Sequence, residues 1–162
     1  DGVTLQATGT GNYDGLNATG GGCSVQLGNV NFGSVGRAHI FAQAAASVSF
    51  DTINGSSIAI NNNSGFQNHI YATSGATVNE ANPPGPAGFP NLIIGTSCNC
   101  SYFLNVQANA YTNFVYASIS GSMSSGNKYN VSMNGVINSN GSGASYYPGV
   151  SAGSASSGGQ YV

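Results

Sequence analysis

The sequence predicts an all-β protein built as an antiparallel β-sandwich, and three observations lead there. The 25 Gly, mixed with Ser and Asn, cut the chain into short apolar stretches. Within those stretches apolar residues alternate at period two, and spacing of three and four does not persist for three helical turns. Turn dipeptides such as Asn54-Gly55, Gly126-Asn127 and Asn134-Gly135 recur between the stretches, the punctuation of a sandwich.

The elements follow in order. Alternation at Val3, Leu5 and Ala7 marks a first strand, and Cys23, Val25 and Leu27 mark a second. Arg37 to Ala46 holds three consecutive Ala and no breaker, so a short helix and a strand both fit it. Ala44, Ala46, Val48 and Phe50 alternate, as do Tyr102, Leu104, Val106 and Ala108, and Tyr129, Val131 and Met133. Shorter runs at 57–60, 70–73, 92–95, 113–120 and 135–137 add strands. Residues 82–91 carry four of the five prolines and read as a stiff exposed loop. Residues 139–160 are rich in Ser and Gly around Tyr146-Tyr147-Pro148 and read as a mobile tail or an edge. No fixed-period repeat is visible, which argues against a solenoid.

Composition narrows the function. With 162 residues and 40% apolar content there is enough for one core, while only 4% of residues are charged and the formal net charge is −2. Arg37 and Lys128 are the only fixed cations, which removes the electrostatic term for nucleic acid and for anionic membranes. No apolar run reaches membrane-helix length, so no membrane insertion is expected. A chain starting at Asp1 reads as a processed, secreted protein.

Catalytic groups are few: Asp1, Asp14, Asp51, Glu80, His39, His69, Arg37, Lys128 and three Cys. No carboxylate pair or nucleophile elbow stands out among them, so no catalytic residue and no cofactor is assigned and the protein reads as no enzyme. Cys98 and Cys100 lack the further ligands of a zinc site beyond Cys23. A disulfide from Cys23 to Cys98, with Cys100 as the alternative, would close a loop of about 75 residues worth roughly 4 kcal/mol in the chain-entropy model. The third Cys stays unassigned. Asn-x-Ser/Thr acceptors for N-glycans stand at Asn17, Asn54, Asn62, Asn99, Asn130 and Asn140.

A chain with so little charge lacks the residues that discourage edge-to-edge pairing, so it should associate. Residues 1–11 are shaped to add a strand to another subunit, with 12–22 as a linker and 23–162 as the globular domain. An ordinary first strand folded into its own domain fits the same residues.

At this point the sequence resembles chaperone-usher pilins. The likeness lies in the alternating N-terminal segment, in the Cys-bearing strand Cys23-Ser24-Val25-Gln26-Leu27, and in the ending Gln160-Tyr161-Val162. The low charge and the Asn acceptors are similar to archaeal surface threads. The resemblance implies an immunoglobulin-like sandwich completed by the N-terminal donor strand of the next subunit. Val3, Leu5 and Ala7 would then be the inserting side chains, with Gly9 or Gly11 at a close-contact position. It also implies an extracellular homopolymer of identical subunits, a pilus or thread serving adhesion or biofilm, with cell-surface glycans as further partners. Lys128 would be the lysine of any isopeptide bond, or simply a solubilising turn residue. The competing expectations are a carbohydrate-binding module using Tyr102, Tyr111, Tyr116, Tyr146 or Tyr147, and a surface-layer or viral coat subunit.

Overall fold

The computed structural model describes residues 2–7, 11–50, 57–60, 66–80, 91–95, 98–114 and 117–162. They wind into a parallel β-solenoid with three sheets. Coil 1 holds β1 (Val3–Leu5), β2 (Asp14–Thr19) and β3 (Ser24–Leu27), and coil 2 holds β4 (Val30–Phe32), β5 (Ala38–Gln43) and β6 (Ser47–Phe50). Coil 3 holds β7 (Ser57–Ile60), β8 (Phe66–Ala72) and β9 (Thr77–Glu80). Coil 4 holds β10 (Asn91–Ile94), β11 (Asn99–Val106) and β12 (Tyr111–Asn113), and coil 5 holds β13 (Ser118–Ser120), β14 (Ser125–Val131) and β15 (Val136–Asn138). A partial sixth coil adds β16 (Ser154–Ala155) and β17 (Gln160–Tyr161).

The first sheet runs β1-β4-β7-β10-β13, the second β2-β5-β8-β11-β14-β16, and the third β3-β6-β9-β12-β15-β17. Neighbouring strands are parallel throughout, from Val3 opposite Val30 to Ile137 opposite Tyr161. The three sheets enclose one core in which like stacks on like. Val30, Ile58 and Leu92 line the first sheet, and Ile40, Ile70 and Leu104 the second. Val48, Val78, Thr112 and Ile137 line the third. Each large apolar side chain buried this way contributes about 1.5–3 kcal/mol.

The antiparallel sandwich is therefore overturned. The alternation identifies most strands and much of the buried face, though Ala44, Ala108 and Met133 fall in corners and Val3 is exposed, and it carries no information about the partner. Here each strand pairs one coil away, so the turns between consecutive strands are corners and not hairpins. Arg37 to Ala46 resolves into β5 and the corner after it, and Gly126-Asn127 lies inside β14 together with Lys128. Most of the proline-rich segment and Asn54-Gly55 fall outside the described residues.

The corner between the second and third sheets is the most regular local structure. Its two central residues take positive φ in coils 2 to 5: Ala44 and Ala45, Ser74 and Gly75, Ala108 and Asn109, Met133 and Asn134. That is the left-handed pair of a type I′ turn. The turn closes from the Ala46 N–H to the Gln43 carbonyl at 3.2 Å, and from Gly135 to Ser132 at 2.9 Å. The corners also bond to one another: Ala45 N–H donates to Ser74 at 3.0 Å, Gly75 to Ala108 at 3.0 Å, and Asn109 to Met133 at 3.1 Å. This ladder offsets the steric cost of left-handed backbone at residues other than glycine.

A repeat does exist, and variable coil length hides it. Core residues Ile40 and Val48, Ile70 and Val78, Leu104 and Thr112, and Tyr129 and Ile137 each stand eight positions apart. The arcs that carry the first sheet differ, so coils advance by 30 residues from Ile40 to Ile70, 34 to Leu104 and 25 to Tyr129.

The donor-strand reading falls with the sandwich. β1 is paired in parallel with β4 of its own chain, Val3 N–H donating to Asn29 and Gly33 N–H to Leu5. Ala7 continues the contact by donating to Ser34 at 2.9 Å. Val3 itself is 60% exposed, and Gly9 lies outside the described residues.

Candidate functional site

The winding pairs some titratable residues and separates others. Asp14 on β2 accepts from Arg37 Nε at 2.9 Å and pairs with its terminal nitrogen, and this bond raises the Arg37 pKa against the opposing effect of burial. Glu80 is buried at the end of β9, while His39 and His69 lie in the core. Asp51 is outside the described residues. Among the described residues no three of His, Cys, Asp and Glu gather where they could hold a metal.

The predicted disulfide is not present: none of the three cysteines is bridged. Cys23 precedes β3 in coil 1 and Cys98 precedes β11 in coil 4, three coils away. At about 4.8 Å per coil that separation is roughly 14 Å, beyond the reach of a disulfide. Cys98 instead donates to the Ile60 carbonyl at 3.2 Å. Cys100 sits against the Met123 thioether at 3.9 Å, and burial pushes its thiol up to about 12. Of the glycan acceptors, Asn17 and Asn140 are exposed, Asn99 and Asn130 are half-buried, and Asn54 and Asn62 are outside the described residues.

The interior carries an aromatic column. In the second sheet the registered pairs of β2, β5, β8 and β11 skip a common row, passing from Ala38 opposite Asn68 to Ile40 opposite Ile70. The skipped residues Gly15, His39, His69 and Phe103 form a row of their own. A Cβ on Gly15 would meet the His39 carbonyl at 2.9 Å and the Phe32 ring at 3.0 Å, so only glycine leaves room for Phe32. Phe32, His39, His69, Phe103 and Tyr147 follow one another at ring separations from 4.9 to 6.1 Å.

Burial, with the neighbouring His39 as a second cause, holds the His69 pKa well below its ordinary value. The column ends in a tyrosine cluster where Tyr129 stacks on Tyr161 at 4.3 Å and Tyr147 is fully buried. Beside Tyr147, His69 and Phe103 lies a cavity of about 20 Å³, room for about one water. Two of the tyrosines proposed as sugar platforms, Tyr146 and Tyr147, are thus committed to this closure, and desolvation pushes Tyr146 up to about 12.

Outside, the second sheet presents a neutral polar ladder. Asn130 donates to Asn105 at 3.0 Å, Ser154 to Asn130 at 3.2 Å, and Gln43 to Thr19 at 3.2 Å. Between them Arg37 covers the Phe41 ring at 3.7 Å, and Phe41 packs on Tyr71 at 5.1 Å. The outer face of the third sheet holds Ser47, Ser49, Thr77, Asn79, Tyr111, Asn113 and Asn138 with no charge among them.

The two ends of the coil differ. β1, β2 and β3 stand at sheet edges among the described residues, and Leu5, Leu16 and Val25 pack on the core while only partly buried. At the other end β16 and β17 are edges and the tyrosine cluster closes the interior. These outer rows and ends escape a sequence reading that looks for antiparallel neighbours, although aligning the corner segments, such as Ala42 to Phe50 with Ala72 to Glu80, reveals them. Geometry defines the class as a three-sheet parallel β-solenoid. Comparison with protein-family models, with curated proteins and with solved structures finds no match.

Proposed function

We propose that the chain is a structural subunit of an extracellular assembly, a neutral rigid rod that joins identical subunits coil on coil. The observation that carries this is the first coil, where three strand edges and the half-exposed Leu5, Leu16 and Val25 occupy one end of the rod. Every ladder is parallel, so a second copy stacked head to tail presents β16 and β17 to β2 and β3 in the direction they require. A two-fold pairing of like ends would reverse the strands. Extracellular placement is supported by the exposed Asn17 and Asn140 acceptors and by the scarcity of charge. Sedimentation of the purified chain with concentration, followed by electron microscopy, tests the reading: rods that lengthen end to end are expected, and a monomer at every concentration overturns it. Leu16→Lys should shorten the rods while leaving the circular dichroism of the chain unchanged.

A second reading is favoured by the third sheet's outer face, where Asn138 Nδ2 donates to the Tyr111 hydroxyl at 3.2 Å beside Asn113. Ring and amides in a charge-free row are the groups that bind neutral sugars. Saturable binding on a glycan array, lost in Tyr111→Ala, supports this use of the face.

A further inference from the structure

Cys100, Met123 and Cys98 form a cluster of soft donors that neither the rod nor its outer face uses. We propose that it is a binding site for one Cu(I) ion, with Cys100 and Met123 as the principal ligands and Cys98 as the third. The geometry is direct: the Cys100 and Met123 sulfurs lie 3.9 Å apart. Two sulfurs bound to one ion at about 2.3 Å, the length of a zinc–thiolate bond, subtend about 116° at that 3.9 Å separation, close to trigonal. Cys98 stands two residues before Cys100 and is buried beside it.

Thiolate and thioether sulfur favour Cu(I) over harder cations, which prefer oxygen and imidazole. The local structure builds the cluster. Cys98 and Cys100 enter coil 4 at the start of β11, and Met123 reaches them from the corner before β14 in coil 5. Gly121 makes that corner, with φ at 83° and its α-carbon against the Ile94 carbonyl of the coil below. Exposed Ser122 and Ser124 flank the buried Met123, so the cluster lies one side chain below the surface.

Binding exchanges sulfur–hydrogen bonds for sulfur–copper bonds. The Cys100 and Cys98 thiols each release one proton to solvent, Cu(I) binds both thiolates, and the Met123 thioether donates a lone pair with no loss of proton. No electron is transferred. Two thiolates against the single positive charge of the ion leave the occupied site with one net negative charge.

The test is an anaerobic titration of the full chain with Cu(I) alone, in competition with a chromogenic Cu(I) chelator and read also by native mass spectrometry. One ion per chain, with sulfur-only neighbours in X-ray absorption, is expected. Cys100→Ser should abolish binding, Met123→Leu should weaken it at least tenfold, and Cys23→Ser should leave it unchanged. Failure of the wild-type chain to bind one equivalent overturns the proposal, as does Cys100→Ser binding at full strength. Met123→Leu conserves core volume and keeps the test valid if Cys100→Ser does not fold; unaltered affinity in folded Met123→Leu also overturns it.

Discussion

His39 of coil 2 and His69 of coil 3 meet in the core with their Nδ1 atoms 3.0 Å apart. One Nδ1 carries a proton at this contact and the other accepts it, so the two rings hold complementary tautomers. Phe32 packs on one side and Phe103 on the other, and burial disfavours a charge there.

This pair makes stability depend on pH. The His69 pKa is depressed in the folded chain, so below the ordinary value of 6.5 the unfolded chain binds a proton that the folded chain refuses. Stability is full above pH 6.5 and declines as pH falls, by roughly 1.4 kcal/mol for each unit while His69 stays neutral. Thermal melts between pH 8 and pH 5 should show the decline, and His69→Phe, which extends the aromatic row, should flatten it. An equal decline in both proteins would assign the effect elsewhere.

The corner residues Ala44 and Ala45 hold φ of 53° and 61°. Left-handed backbone costs about 1–2 kcal/mol at alanine, and part of the relief on changing to glycine is lost to the greater freedom of the unfolded chain. Ala44→Gly and Ala45→Gly should each stabilise by roughly 0.5 kcal/mol. Ala108→Pro at the equivalent corner should destabilise strongly, because proline is fixed at negative φ where this position has 51°. Denaturant midpoints read both.

Core truncation should rank by coil. Ile70→Ala, in the middle of the stack and fully buried, is expected to cost about 2–5 kcal/mol. Val3→Ala, at an exposed position on β1, should change stability by less than about 0.5 kcal/mol. A large effect at Val3 in a dilute monomer would contradict the position of β1 on its own chain.

Thiol chemistry should separate the cysteines. Cys23 is half-buried and should react with a thiol reagent in the native state, whereas Cys98 and Cys100 should react only on unfolding. Mass spectrometry after alkylation in denaturant without reductant should count three labels; a count of one would reveal a disulfide.

Much of this architecture is legible in the residues. Val25, Val48 and Val78 alternate with polar neighbours as strand residues must, and the alternation correctly implies an all-β chain. Partnering is illegible, because a residue such as Val48 has the same apolar face whether its neighbour is a hairpin strand or the next coil. The repeat is obscured by arcs of unequal length around the first sheet, and the alanines at 44 and 45 disguise a left-handed turn that glycine or asparagine announces elsewhere. His39 and His69 look unremarkable thirty residues apart, since only the winding makes them adjacent. Cys23 and Cys98 look like partners for the converse reason: each carries strand character, and nothing in the sequence measures the three coils between them.

The eight-residue passage through the corner in coils 2 to 5, combined with arcs of unequal size, separates the height of the rod from the amount of polypeptide spent on it. A coil of 34 residues raises the structure by the same 4.8 Å or so as one of 25, because both add a single layer to each sheet. Residues can therefore be added or removed between one coil's third strand and the next coil's first while the distance spanned stays constant.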